Sequence, residues 1–175
     1  MKTNSLFPLL FFLLSLYNTE SYALDRISLG VGKSKESVNI CRLGFQREFD
    51  SKWLKWKTGC VSGYHEVSLN YWEYNNESIK GAAYSPVFIY EFQLNRNIFP
   101  YLEAGIGVSY ISEKTIRGRD LSSHFQFEDR AGIGAKIGKQ KTHDLNLRYM
   151  HYSNAGIKQP NQGISMFIFS YTHSF

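Results

Sequence analysis

The chain closes on HDLNLRYMHYSNAGIKQP, residues 143–160, followed by NQGISMFIFSYTHSF, residues 161–175. Between His143 and Ser153, Leu145, Leu147 and Tyr149 alternate with Asp144, Asn146 and Arg148, and the alternation runs on through His151 and Ser153. A period of two is a strand period, so Leu145, Leu147, Tyr149, His151 and Ser153 share one face. That face is apolar for most of its length and ends in an imidazole and a hydroxyl. Residues i and i+2 of a strand stand side by side, which suits a histidine acting as general base to a serine.

Working outward, the other end of the chain is of a different kind. Lys2 supplies a positive charge, Leu6 to Leu16 is almost wholly apolar, and Ser21-Tyr22-Ala23 has the small-x-small form of a signal-peptidase site. The apolar run is shorter than the ~20 residues a spanning helix needs. A secretory signal over residues 1–23 is therefore expected, with residues 24–175 as one mature domain.

The mature segment breaks into short aromatic-rich stretches between Gly, Asn, Lys and Pro. Strands are expected at Leu24–Gly32, Val38–Phe49, Val61–Tyr74, Ala83–Phe92, Tyr101–Ile111, Phe125–Ile137, His143–Ser153 and Gly163–Phe175. Lys52–Lys57, Asn75–Gly81, Asn95–Pro100 and Ile116–Ser123 read as connections, and no helical pattern persists for three turns. One face of the sixth strand carries Phe125, Phe127, Ala131, Ile133, Ala135 and Ile137, interrupted by Asp129; in the last strand Phe167, Phe169, Tyr171 and Phe175 share a parity.

Eight antiparallel strands with an export signal and an aromatic excess describe an all-β, eight-stranded transmembrane barrel of the bacterial outer membrane. Closure satisfies backbone groups that hydrocarbon cannot. A soluble secreted barrel of the lipocalin kind shares the strand pattern. With the N-terminus inside, odd strands run outward, so His151 and Ser153 fall at the external rim and face lipid.

His151-Tyr152-Ser153-Asn154-Ala155-Gly156-Ile157-Lys158-Gln159-Pro160-Asn161-Gln162-Gly163-Ile164 resembles the signature of the lipid A 3-O-deacylase family, PagL. Phe125-Gln126-Phe127-Glu128-Asp129-Arg130 and the last strand also resemble that family. The resemblance implies an outer-membrane esterase that removes the hydroxyacyl chain at position 3 of lipid A, with Ser153 as nucleophile and His151 as base. It also implies an oxyanion hole at Asn154 and Gly156, lipopolysaccharide as partner and a homodimer. The family's third catalytic member, a glutamate, falls at Ser165, which carries no charge but can orient His151.

Register nominates another carboxylate. A turn around Gln140 pairs residues whose numbers sum to about 280, which sets Asp129 opposite His151 on the lipid-facing side. A salt bridge with Arg130, Arg148 or a cation is the structural alternative for Asp129, and a plain wall position the alternative for Ser165. Glu128, Glu103, Glu91 and Glu66 are expected to point inward.

The remaining features are weaker. His65, His124, His143 and His173 lack metal-site spacing, and neither metal nor cofactor is expected. The Gly-Ile-Gly repeats at Gly105 and Gly132 suit close packing better than nucleotide binding. Cys41 and Cys60 would be free to pair after export. Removing the signal takes away one residue of each sign, Lys2 and Glu20, so the charge of +5 remains. The basic residues are scattered, unlike a nucleic-acid footprint, and suit phosphorylated lipid. Lys114, Arg117, Arg119 and Lys158 are candidate phosphate contacts in external loops. A phospholipase-like esterase and a non-enzymatic barrel are the competing functions.

Overall fold

The computed structural model describes residues 24–50, 53–94 and 97–175. The expected signal segment, residues 1–23, lies outside the described residues. Period-two alternation gives eight long strands: β1 Arg26–Ser34, β2 Asn39–Glu48, β3 Gly59–Tyr74, β4 Glu77–Phe92, β5 Ile98–Ile111, β6 Phe125–Ile137, β7 His143–Ser153 and β8 Ile164–Ser174. Each pairs antiparallel with its sequence neighbour, β1 pairs with β8, and no long strand is left with an open edge. The sheet is a closed barrel, and it stands in the outer membrane.

The connections differ from the sequence reading, and the one expected over Asn95–Pro100 is already strand from Ile98. The segment expected as a loop over Asn75–Gly81 is strand from Glu77 onward, and only Asn75, at φ 51°, and Asn76 form the turn. Its polar residues reflect water above the membrane, while Ile79 from the same segment is fully buried. Likewise Trp53–Trp56 is a short strand that folds back on Gly59–Val61. The external loop between β5 and β6 carries a two-residue hairpin, Thr115–Ile116 with Arg119–Asp120, and it buries Ile116 and Leu121 completely.

The two barrel faces have opposite chemistry. Outward residues such as Val31, Leu69, Leu102, Ile133, Leu147 and Phe169 form the apolar belt that meets lipid. At the external end, the interior packs Val38, Ile40, Trp72, Ile79, Ile111, Ile116, Leu121, Met150 and Met166 into a plug. Below it lies an ionic layer. Arg42 reaches Glu66 at 2.7 Å and Glu128 at 2.9 Å; Arg130 reaches the same carboxylates at 2.9 and 2.6 Å; Arg148 reaches Glu103 at 2.8 Å. Charges sequestered in this way need partners, and these arginines and glutamates supply them to one another. The inward direction expected for Glu66, Glu91, Glu103 and Glu128 is the one found.

The Gly-Ile-Gly repeats serve this packing. A Cβ at Gly134 would stand 2.3 Å from Tyr101 Cζ, so the glycine makes room for a ring whose hydroxyl donates to Asp144 at 2.8 Å. Both cysteine thiols are free, Cys41 exposed and Cys60 buried. Cys41 pairs across the sheet with Tyr71, whereas Cys60 pairs with Glu91, near the opposite end of β3. The pairing considered from sequence is therefore not made.

Candidate active site at the external rim

The last residues of β7 carry the site. Their alternation sends Tyr149, His151 and Ser153 outward and Met150 and Tyr152 inward, where both are fully buried. Tyr152 fixes the strand from within. Its hydroxyl donates to Glu128 at 2.9 Å, Arg42 donates to it at 3.1 Å, and its ring meets Trp72 edge-on at 4.7 Å. The backbone that presents His151 and Ser153 is thus pinned to the ionic layer.

Cross-strand pairing supplies the histidine's neighbours. His151 is opposite Asp129 on β6 and opposite Ser165 on β8, and Ser153 is opposite Phe127. Ser165 Oγ lies 2.8 Å from His151 Nδ1, and the Tyr149 hydroxyl donates to the same Oγ at 2.8 Å. Asp129 is half-buried and carries no hydrogen bond or ion pair among the described residues. Arg130 and Arg148, suggested above as salt-bridge partners for Asp129, point into the barrel and serve Glu66, Glu128 and Glu103 instead. Ser153 Oγ is likewise without a hydrogen-bond partner among the described residues.

Past Ser153 the chain turns sharply through Ala155 and Gly156, at φ 53° and 79°. Asn154 is fully buried and organises this loop. Its backbone N–H donates to Asn161 Oδ1 at 3.0 Å, and its side-chain nitrogen donates to Leu121 O at 2.8 Å and Lys158 O at 3.0 Å. Lys158 N–H donates back to Asn154 Oδ1 at 3.2 Å. Every N–H of Asn154, the residue expected with Gly156 at the oxyanion hole, is therefore hydrogen-bonded within the loops. Among the described residues, the Gly156 N–H has no backbone acceptor.

Four further contacts bind this loop to the one between β5 and β6, the first of them from Gln162 N–H to Asp120 O at 3.2 Å. Gln162 Oε1 accepts from Asp120 N–H at 2.6 Å, Ser122 donates to Pro160 O at 3.0 Å, and Arg119 donates to Gln162 O at 3.1 Å. Arg119 also pairs with Glu36, in the turn between β1 and β2. Partial burial pushes the Glu36 carboxyl upward, but its own backbone N–H, Arg119 and Ser34 together hold it below its ordinary value. Three external connections thus join around the site.

Between them lies a groove of about 480 Å³ lined by Lys33, Lys35, Arg119, Tyr149, His151 and Ser165, among others. Of the basic residues singled out in the sequence, Arg119 reaches this groove. Arg117 stacks instead on Tyr74, 4.6 Å from the ring centroid. Lys33 and Lys35 are not among the sequence candidates. Their parity was legible, but their neighbours come from other strands. The groove combines cations, a histidine and a lipid-facing wall, with no cluster of metal-ligating side chains among the described residues.

A closed barrel with an apolar belt and a serine–histidine pair at its external rim defines the class: an outer-membrane hydrolase acting on lipid. Comparison with known proteins places it more closely. The family model described as lipid A 3-O-deacylase (PagL) matches residues 40–174, and the chain belongs to that family. It is 37% identical over 159 residues to the lipid A deacylase PagL of Pseudomonas aeruginosa, covering 90% of each chain. A lipid A deacylase PagL of Bordetella bronchiseptica is 33% identical over 110 residues, covering 63% of this chain and 61% of its own. A crystal structure of the outer membrane enzyme PagL superposes with a TM-score of 0.80 at 36% identity, over 86% of this chain and 99% of that one.

Proposed function

We propose that this barrel hydrolyses the ester at position 3 of lipid A, with Ser153 as nucleophile and His151 as its general base. Family membership supports the reaction; the observation that carries the residue assignment is the lipid-facing alignment of Tyr149, His151 and Ser153 beside Ser165. A soluble substrate would meet this rim only from the loops, whereas a lipid in the outer leaflet presents its acyl ester at that depth.

In this reading Ser165 keeps the proton of His151 on Nδ1, which leaves Nε2 free to accept the proton of Ser153. The Ser153 oxygen attacks the ester carbonyl, and the charge that develops is met by the Gly156 N–H at the turn that Asn154 holds. Collapse of the tetrahedral intermediate breaks the bond to the sugar oxygen, which takes the proton from His151. Water, deprotonated by the same imidazole, then attacks the acyl-serine; the bond to the Ser153 oxygen breaks, that oxygen takes the proton back from His151, and the 3-hydroxy fatty acid is released. Asp129 acts through space, its negative charge favouring the imidazolium on the side opposite Ser165. Lys33, Lys35 and Arg119 meet the phosphate groups of lipid A at the groove wall. A second copy of the chain is the remaining partner in this reading, and the mass of the detergent-solubilised protein tests it.

The experiment is mass spectrometry of lipid A from cells expressing the protein or its Ser153→Ala variant. The expected result is loss of one 3-hydroxyacyl group with the native chain and none with the variant. Deacylated glycerophospholipid beside intact lipid A would replace this reading with a phospholipase.

A further inference from the structure

Resting on the serine–histidine reading, we propose that Tyr149 is a positioning residue for His151, acting through Ser165, so that a neutral Tyr–Ser pair does the work a carboxylate does in a charged triad. Ser165 Oγ accepts from the Tyr149 hydroxyl at 2.8 Å and stands 2.8 Å from His151 Nδ1. A hydroxyl oxygen has two lone pairs and one proton. With Tyr149 on one lone pair, the other remains to receive the Nδ1–H, which is the tautomer that leaves Nε2 basic.

Placement explains why the second hydroxyl is needed. Ser165 is half-buried on a wall that faces lipid, where a short side chain with one partner is free to rotate away. Tyr149 and His151 both project from β7, and Ser165 projects from β8 directly opposite His151, so the phenol and the imidazole hold one hydroxyl between them. The Tyr149 ring is itself steadied edge-on against Phe167, with centroids 5.3 Å apart, and that contact does not depend on its hydroxyl. Removing only the hydroxyl therefore separates the hydrogen bond from the packing.

The pair orients His151 but adds no charge from its side. One consequence distinguishes it from a merely structural tyrosine: Ser165→Glu would bond Nδ1 directly and make the Tyr149 hydroxyl dispensable.

The test uses the full barrel in detergent micelles with lipid A as substrate. Tyr149→Phe is measured alone and in the Ser165→Glu and Ser165→Ala backgrounds. The expected loss in kcat is about tenfold for Tyr149→Phe alone, with KM within about twofold, and less than about twofold in either Ser165 background, because contacts in one network are not additive. Equal losses in all three backgrounds, or no loss in the native one, would overturn the relay. The imidazole nitrogen NMR shifts of His151 read the tautomer without turnover. Tyr149→Phe should move them in the native background and leave them unmoved in Ser165→Ala; no movement in the native background overturns the relay as well. A native barrel that folds yet leaves lipid A intact would instead fail the functional reading, while the NMR arm still judges the relay.

Discussion

A methyl group on Gly163 would stand 2.9 Å from His151 Cε1 and 3.1 Å from Nε2, so the backbone of β8's entry closes directly on the imidazole. Gly163 also has φ 59°, a left-handed conformation that strains any side chain bearing a Cβ. Gly163→Ala is expected to displace the ring and lower kcat by about 100-fold, the scale of a 1 Å misplacement. The barrel wall should be intact, which heat-modifiable migration in gels checks.

Asn154→Ala removes both hydrogen bonds that its side-chain nitrogen donates and leaves Leu121 O and Lys158 O without this donor. The expected local cost is about 1–3 kcal/mol. Activity should fall together with protection of residues 154–163 from limited proteolysis. Loss of kcat with unchanged protection would mean that the amide acts on the oxyanion after all.

Asp129→Asn removes a charge from the strand beside His151 without changing shape. We expect kcat to fall about tenfold, since the imidazolium formed during acyl transfer loses a favourable neighbour. Steady-state kinetics on lipid A checks it.

Glu66 accepts from Arg42 at 2.7 Å and Arg130 at 2.9 Å, with Arg148 at 3.6 Å. Glu66→Ala leaves these buried guanidiniums undercompensated, and the expected loss of stability is about 3–5 kcal/mol. Glu66→Gln, which keeps the volume, should lose less. Urea unfolding monitored by tryptophan fluorescence ranks the three proteins.

The strap between Glu36 and Arg119 has a defined acid limit. Because the folded carboxyl titrates below its ordinary value, its contribution is fully present above the unfolded pKa and is lost only as pH falls through the lower, folded one. Protection of the external loops should be level from pH 7 to about 5 and decline below about 4. Glu36→Gln should remove that decline.

From the sequence alone came the strand period, the eight-strand barrel, the outward row that ends in His151 and Ser153, and the register that sets Asp129 against His151. These are local properties: a side-chain period of two and a short turn fix parity and pairing within a hairpin. The tertiary structure decided what meets the row from farther away. Ser165 reaches Nδ1 because β8 pairs with β7 in one register. Asn154 builds a loop because Leu121 descends from another hairpin. Lys33 and Lys35 join the groove because the barrel closes β1 onto β8. Closure brings together residues more than 100 positions apart, a juxtaposition that depends on all eight strands pairing at once.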